Sequence, residues 1–282
     1  MKCIIKNPDS DMNGNTAENI FIASNENGAY LGHGYVYTHV YHEIALEHPY
    51  NLFIDINVNE GVENCNDVKD ALFERVMQRA VELRKEYPDL KARIYGGCFS
   101  GESEKIGFFI SKGFIHDDGT YLYERNLSIG IPEIVLPENI RIRENHMENE
   151  EERNRYIEIH NNIFSKKISN DNLYELMKEK LWTNFSAYVG ENVVGNIMVF
   201  GKVEEHNGER IGFIENLYVL SDWQGHKIAR SLIITALKYF QSHGMKKSQL
   251  DVWGRNKRAV QLYKSLGYVF VGEKEAYPGI NL

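Results

Sequence analysis

The feature that most constrains the fold is an internal repeat of one strand and helix pattern. Two short segments end alike, FISKGF at 109–114 and YKSLGY at 263–268, with glycines 154 positions apart (113 and 267). Each half also has an earlier β-branched run, and these two runs end at Val58 and Val219, 161 positions apart. Two landmarks with nearly one spacing predict a tandem duplication of one α/β unit. The alternative is two unrelated α/β stretches.

The spacing of apolar residues predicts a similar order of strands and helices in both halves. In the first half we predict a strand over 52–58, a helix over 68–87 that Pro88 ends, a strand over 90–96, a helix reaching 113 and a further strand. In the second half we predict strands over 140–143, 186–189, 193–200, 211–220, 249–253 and from 268, and helices over 150–164, 172–182, 226–240 and 257–266. Pro132 and Pro137 interrupt the pattern within 128–139, so the predicted domains are 1–130 and 139–282.

Composition excludes several classes of protein. The 282 residues are 43% hydrophobic, which is enough for one or two cores and too much for a disordered chain. The net charge of −8 argues against broad nucleic-acid binding, which needs a basic face. Three cysteines without a CxxC spacing predict neither a structural zinc site nor a disulfide framework. No signal peptide and no membrane span is evident, so we expect a cytoplasmic protein without membrane or nucleic-acid partners.

The turn at 224–229, Gln-Gly-His-Lys-Ile-Ala, joins a strand to a helix. A helix that begins at such a turn offers free amide N–H groups and a positive dipole end to an anion. Arg230 lies one turn further, and Arg255, Lys257 and Arg258 precede the next helix. These charges point to a polyphosphate ligand; a solvated helix face is the alternative.

Two motifs in the second half resemble those of the GNAT acetyltransferase family. Gln224 and Ala229 match the first and last positions of its acetyl-CoA signature, Q/R-x-x-G-x-G/A. A second signature is similar to Asn256-x-x-Ala-x-x-Leu-Tyr-x-x-x-Gly-Tyr over 256–268. Lys227 stands where the family has its middle glycine. We expect this change to be tolerated, because a residue in the first helical turn need not have a positive φ, and the ammonium adds positive charge.

The resemblance implies two tandem GNAT-like domains of the α/β class, each a mixed, mostly antiparallel sheet flanked by helices. It implies an acetyl-CoA-dependent N-acetyltransferase that acts on a primary amine of a small molecule or peptide by direct transfer in a ternary complex. Acetyl-CoA is then a co-substrate, and no metal is expected. A non-catalytic acyl-CoA-binding or sensory module is the alternative, which Lys227 favours. The acceptor, the acyl chain length and the oligomeric state are not specified by the sequence.

The resemblance also assigns residues. Glu215 matches a general base position, although a strand-end carboxylate facing solvent or a substrate cation is equally compatible, and Tyr263 matches the general acid, with a packing role as the alternative. Asn256 matches a contact to pantetheine or an ordered water, or it simply caps the helix. The expected cofactor-binding residues are Leu217, Tyr218, Val219, Gln224, Gly225, His226, Lys227, Ile228, Ala229, Arg230, Asn256 and Arg258.

The first half lacks these residues in the same register. Tyr263 corresponds to Phe109, Asn256 to Glu102 and Glu215 to Ile54, and the phosphate turn becomes 59–64, which brings two carboxylates. We therefore expect a degenerate domain with a structural role. His33 and His39 share a strand face about 20 Å apart, too far for one metal ion, while His42 is expected on the opposite face from His39. The face that bears His39 and its neighbouring tyrosines is expected to be a half-buried sheet surface.

Overall fold

Strand and helix bounds follow the hydrophobic pattern closely. The computed structural model describes residues 3–12, 14–42, 44, 46–203 and 208–282. The elements up to residue 111 are β1 (Ile4–Lys6), β2 (Ile20–Ser24), β3 (Tyr30–Val40), β4 (Tyr50–Val58), α1 (Cys65–Arg84), β5 (Ala92–Gly96), β6 (Cys98–Phe99) and α2 (Ser103–Ser111). The later elements are β7 (Gly119–Asn126), β8 (Ile140–Glu144), α3 (Glu150–Ile163), α4 (Asn170–Met177), β9 (Thr183–Val189), β10 (Asn192–Val203), β11 (Arg210–Val219), α5 (Ile228–Ser242), β12 (Lys247–Trp253), α6 (Lys257–Ser265), β13 (Val269–Ala276) and β14 (Gly279–Asn281).

The chain forms two compact units. The first contains Met1–Gly119 together with Glu275–Leu282, and the second contains Thr120–Lys274. The C-terminal strand β14 thus belongs to the first unit, and nearly all of β7 belongs to the second. The domain limits predicted from the sequence, 1–130 and 139–282, stay a prediction, because compact units and independently folding domains need not coincide.

The first unit has a six-stranded sheet in the order β1-β2-β3-β4-β5-β14. Its pairs are antiparallel except β4 with β5, which is parallel. The helix α1 covers one face of this sheet, and its buried stripe of Val68, Leu72, Val76, Ala80 and Leu83 joins the core of the unit. The predicted order of strand, helix, strand and helix in this half is confirmed.

The second unit orders seven strands as β13-β7-β12-β11-β10-β9-β8. Its pairs are antiparallel where the registers are given, except β11 with β12, which is parallel. The helix α5 packs its apolar stripe, which includes Leu232, Leu237 and Phe240, on this sheet. Helices α3 and α4 belong to a separate apolar cluster with Met198 and Tyr218. The predicted fold class, two mixed and mostly antiparallel sheets flanked by helices, is confirmed.

Two predicted helices extend beyond the C-terminal ends of the observed ones. The predicted helix over 172–182 is α4, which a capping box at Ser169 and Asn172 starts and which ends at Met177. Leu181 has a φ of 54°, a left-handed conformation that no α-helix continues through. The predicted helix over 68–87 begins earlier, at Cys65, and ends at Arg84. Among the described residues, no helix has both the length and the apolar character that crossing a bilayer requires.

Candidate active site

The centre of the site is a split in the sheet of the second unit. β11 and β12 pair in parallel from Ile211 with Lys247 to Ile214 with Leu250, and their pairing stops there. β11 continues for five residues beside β10, while β12 continues beside β7. Five residues at the end of β11 therefore have no partner strand on the β12 side. An extended ligand can bind such a backbone edge as an added strand does.

A β-bulge marks the start of the split. In the pairing of β10 with β11, Met198 lies opposite Asn216 and Val199 lies opposite Ile214, so Glu215 is an extra residue without a partner. A bulge bends the strand and increases its twist, which separates β11 from β12. It also takes Glu215 out of the alternation of the strand. The Asn216 side chain accepts a hydrogen bond from the Tyr156 hydroxyl at 2.9 Å.

The turn that leads into α5 has an unusual backbone. Gly225 has a φ of 85° and Lys227 a φ of 63°, and α5 starts immediately afterwards at Ile228. Within the described part of the chain, the amide groups of residues 225–230 donate no hydrogen bond to the protein. A Cβ atom placed on Gly225 would have open space around it. Successive free amides at a positive helix end form an anion-binding site of the kind that polyphosphates occupy.

The backbone at Lys227 corrects one expectation. We expected a helical first-turn residue with a negative φ, but Lys227 precedes the helix and is left-handed. The turn needs this conformation to direct its amides, and a lysine adopts it at a cost that glycine does not have. A glycine at this position of the family signature is thus explained by the left-handed backbone, which the sequence pattern did not reveal.

The polar side chains around the turn support one another. Gln224 donates to the Val219 carbonyl at 3.2 Å and accepts from the Arg258 guanidinium at 2.6 Å. Arg230 donates to the Ser265 hydroxyl at 3.0 Å. The turn is thereby linked to the end of β11 and to α6. Gly225, His226 and Lys227 are exposed.

The remaining predicted contacts depend on the backbone. The side chains of Leu217, Tyr218, Val219 and Ile228 pack in or against the apolar clusters, and the methyl group of Ala229 is half-buried. Their amide and carbonyl groups are therefore what each could offer to a ligand.

Tyr263 lies on α6 and is buried, with 7% of its surface exposed. Burial raises the pKa of its phenol well above the usual range. The hydroxyl makes no hydrogen bond to a described residue, and it is not one of the fully enclosed polar atoms that lack a partner. Its ring packs edge-on against Tyr268, with centroids 5.8 Å apart. A protonated phenol without a partner is available to a ligand as a donor.

Asn256 occupies the N-cap of α6, and its side-chain oxygen accepts from the Ala259 amide at 3.2 Å. The capping role, one of the two alternatives for this residue, is therefore present in the structure. Its side-chain amide N–H groups are not used by the cap, so a contact to a ligand stays a prediction.

The carboxyl group of Glu215 has no hydrogen bond or ion pair with a described residue. Its side chain is open to solvent, yet the protein around it desolvates the carboxylate, which raises its pKa. Lys202 and Lys166 oppose this shift, and the charge of Asp251 adds to it. A carboxylate of raised pKa at a split in a sheet has the properties of a proton acceptor.

Sequence reasoning missed Asp251 and Lys202. Asp251 is the first residue of β12 beyond the last parallel pair, and Lys202 places its ammonium 3.1 Å from the centroid of the Phe213 ring. Only the strand register brings them near Glu215, and no local sequence signal marks it. No group of three metal-ligating side chains occurs in the described ranges.

Comparison with known proteins gives a family-model match within the second unit. The model of the acetyltransferase (GNAT) family matches residues 146–268. This range includes the split, the turn before α5 and all of α6.

Solved structures give a fold for the whole chain. A GCN5-related N-acetyltransferase from Sphaerobacter thermophilus is 14% identical over 99% of this chain and 95% of its own, with a TM-score of 0.50. A glucosamine N-acetyltransferase region of a fungal multi-domain GH3 β-N-acetylglucosaminidase is 14% identical over 93% of this chain and 33% of its own, with a TM-score of 0.49. A tandem GNAT protein from the clavulanic acid biosynthesis pathway is 11% identical over 93% and 82%, with a TM-score of 0.44. The first structure shows that the fold likeness extends over both units.

Proposed function

We propose, from the match of the acetyltransferase (GNAT) family model to residues 146–268, that the protein transfers an acetyl group from acetyl-CoA to a primary amine of a small molecule or peptide. The transfer is direct and takes place in a ternary complex. The observation that carries the proposal is the pair of unsatisfied backbone features in the second unit. These are the free amides at 225–230 and the free edge of β11 beyond Ile214.

Acetyl-CoA fits this arrangement in two ways. Its pyrophosphate needs several N–H donors and positive charge, and the turn has free amides together with Lys227 and Arg230. Its pantetheine arm carries amides that pair with a free strand edge, and the end of β11 supplies one at Leu217, Tyr218 and Val219. When bound, the molecule supplies an activated acetyl thioester.

Proton transfer is the task of the side chains. An alkylammonium with a pKa near 10.4 cannot attack a carbonyl until it loses a proton. Glu215 accepts that proton, directly or through a water. The amine nitrogen then forms a bond to the acetyl carbon, and the bond from that carbon to sulfur breaks. The Tyr263 hydroxyl donates a proton to the sulfur, and the backbone at 217–219 holds the carbonyl oxygen. The nitrogen then releases its surplus proton through solvent, which restores the Tyr263 phenol and leaves a neutral amide.

Release of free thiol from acetyl-CoA across a panel of amines tests the proposal. The panel comprises a polyamine, an amino sugar and a peptide with a free amino terminus. We expect thiol release that requires one of these amines and yields the acetylated amine by mass spectrometry. The Tyr263→Phe variant should release thiol at least tenfold more slowly, whereas Tyr174→Phe, at an exposed tyrosine of the same unit, should not change the rate.

A specific observation favours a second function, that of a non-catalytic acyl-CoA-binding module. Lys227 occupies a left-handed position where the family has glycine, and its side chain adds bulk beside the free amides. Saturable binding of acetyl-CoA without acetylation of any amine in the panel would support this second function and reject the first.

A further inference from the structure

Asp251 holds a distinctive place in the split sheet. Ile214 and Leu250 form the last parallel pair, so Glu215 and Asp251 are the first residues beyond it on the two separating strands. Both side chains therefore stand where the split begins. The two carboxylates also interact electrostatically, because the negative charge of Asp251 raises the pKa of Glu215.

The two oxygens of Asp251 differ in their surroundings. Oδ2 accepts from the Lys274 ammonium at 2.5 Å. Oδ1 is fully enclosed and has no hydrogen-bond donor among the described residues. An enclosed carboxylate oxygen without a donor is unfavourable, and such an atom calls for a partner that the protein alone does not supply.

The other charged groups on the surrounding strands do not satisfy Oδ1. On β7, Glu124 accepts from Gln249 at 2.9 Å and pairs with Lys247 at 3.3 Å. On β10, the Lys202 ammonium lies over the Phe213 ring. On β13, Lys274 is the partner of the opposite oxygen. A ligand that enters the split with an N–H donor would give Oδ1 the hydrogen bond that it lacks.

We propose that Asp251 Oδ1 accepts a hydrogen bond from the amino group of the acceptor and positions it between Asp251 and Glu215. This inference rests on the proposed function. The acceptor is a primary amine, as in the proposed function, and its ammonium has enough N–H bonds for one to face each carboxylate. An ammonium gives one proton to Glu215, and the amine that remains keeps two N–H bonds. One of these donates to Asp251, which stays ionised, while the nitrogen lone pair attacks the acetyl carbon. The bond from that carbon to sulfur breaks, and the sulfur takes the proton of Tyr263. The nitrogen then releases one of its two protons through solvent, which restores the Tyr263 phenol and leaves a neutral amide with one N–H bond.

Binding of simple amines tests the positioning role without any need for turnover. Spermidine and glucosamine are titrated calorimetrically into the full-length protein with CoA present. The variants are Asp251→Asn, Lys274→Met and Asp171→Asn. Lys274→Met removes the ion pair but keeps the carboxylate, and Asp171→Asn changes an exposed carboxylate of α4.

We expect the wild type to bind at least one of the two amines, and Asp251→Asn to weaken that binding at least tenfold. Acetyl-CoA affinity should stay within twofold, and both control variants should bind the amine within threefold of the wild type. Unchanged amine binding in Asp251→Asn, an equal loss in Lys274→Met, or binding of neither amine by the wild type would overturn the proposal.

A pH profile separates positioning from a structural role. The charged groups that influence the pKa of Glu215 are Lys202, Lys166, Asp251 and Lys274. Removing the negative charge of Asp251 eases the ionisation of Glu215, so the acid limb of kcat should move to lower pH in Asp251→Asn. An acid limb of kcat at the same pH in Asp251→Asn and in the wild type would overturn the positioning role. Amine binding without acetylation would instead reject the proposed function and leave the binding result standing.

Discussion

The strand-to-helix turns of the two units share left-handed residues and differ in charge. α1 follows Gly61 and Asn64, with φ of 79° and 57°, and α5 follows Gly225 and Lys227, with φ of 85° and 63°. Each helix is thus preceded by a left-handed residue and by a left-handed glycine, which lies three residues earlier in the first turn and two in the second. The first turn carries the exposed carboxylates Glu60, Glu63 and Asp67, whereas the second carries His226, Lys227 and Arg230. Backbone shape alone therefore does not distinguish an anion site, and the side-chain charge decides which turn attracts phosphate.

The two sheets also differ in the partners of the carboxylate that lies where their parallel strands separate. β4 and β5 pair up to Ile54 with Gly96, so Asp55 is the first residue beyond the pairing. Its carboxylate forms an ion pair with Lys105 at 2.5 Å and accepts from the Asn57 side chain at 2.9 Å. Glu215, in the corresponding place, has no such partner. A carboxylate already neutralised inside the protein is a poor base, whereas an unpaired one is available.

This comparison corrects the register inferred from the sequence. The spacing of strand ends placed Ile54 opposite Glu215, but the last parallel pairs place Asp55 there. The bulge adds one residue to β11, while β3 and β4 pair without interruption. The first unit therefore has a carboxylate at the position that corresponds to Glu215, and this carboxylate forms an ion pair with Lys105.

The helices that follow show the third difference. α2 and α6 both have nine residues and start 154 positions apart (103 and 257), which confirms the register of Phe109 with Tyr263. Phe109 is fully buried, and a Cβ on Gly96 would lie 2.6 Å from its ring. At this place the core of the first unit is filled by a phenylalanine ring, which has no hydroxyl group and cannot act as an acid.

Charge reversal at the second turn should have the largest effect. The Lys227→Glu/Arg230→Glu variant gives this turn the charge of the first. Loss of two charge-assisted interactions, about 1.5–3 kcal/mol each, should weaken acetyl-CoA binding at least about 100-fold by calorimetry. The matched change in the first turn, Glu60→Lys/Glu63→Lys, should leave affinity and stoichiometry unchanged. A dissociation constant within threefold of the wild type in the first variant would contradict the assignment.

Removal of the free carboxylate should have the next effect. Glu215→Gln should lower kcat about 100-fold, as loss of a general base does, with the KM for acetyl-CoA unchanged. Asp55→Asn should leave kcat unchanged and lower the free energy of unfolding by about 1–2 kcal/mol, because Lys105 loses its partner. Steady-state kinetics and urea unfolding measure the two outcomes. A loss of activity in Asp55→Asn would show that the first unit takes part in the chemistry.

The phenol and its counterpart form a third pair. Tyr263→Phe should lower kcat at least tenfold without a change in thermal stability larger than a few degrees. Phe109→Tyr places a hydroxyl in a fully buried position, so it should cost about 1–3 kcal/mol of stability and leave kcat unchanged. An unchanged kcat in Tyr263→Phe would remove this residue from the mechanism.

The left-handed residues before the helices predict a smaller difference. Lys227→Gly should raise the free energy of unfolding by about 1 kcal/mol, because glycine adopts a positive φ without strain. Asn64→Gly should change it by less than about 0.5 kcal/mol, since asparagine tolerates this conformation. Equal effects in urea unfolding would show that Lys227 is not strained.

The smallest expected effect is the pH dependence of stability at Glu215. Because its native pKa is raised, the native state keeps this proton to higher pH than the unfolded chain does. The stabilisation is complete below the ordinary value of 4.5 and is lost as the pH rises through the native pKa. Glu215→Gln should therefore melt at a higher temperature than the wild type at pH 7 but not at pH 4. Calorimetric scans at the two pH values check the sign.

Local pattern predicted most of the fold. Apolar spacing located β11, α5, β12 and α6 within a few residues, and the spacing of Gly113 and Gly267 gave the true register of the short helices. The placement of β7 and β14 was not predictable, because a strand pattern specifies which face is buried and not which strand lies alongside.

The site was predictable only in part. The turn at Gly225 and the cap at Asn256 follow from residue types that have known preferences. The bulge at Glu215, the φ of Lys227 and the enclosed oxygen of Asp251 depend on backbone registers that need the folded sheet. Side-chain chemistry could thus be read from the sequence, whereas the surroundings of each group could not.

Amide hydrogen exchange with and without CoA, combined with calorimetric stoichiometry, tests the central claim most directly. If the second turn alone holds the pyrophosphate, one CoA binds per chain and slows exchange at residues 225–230, while residues 61–67 exchange as before. Protection at 61–67, two molecules per chain, or no protection at 225–230 would contradict it.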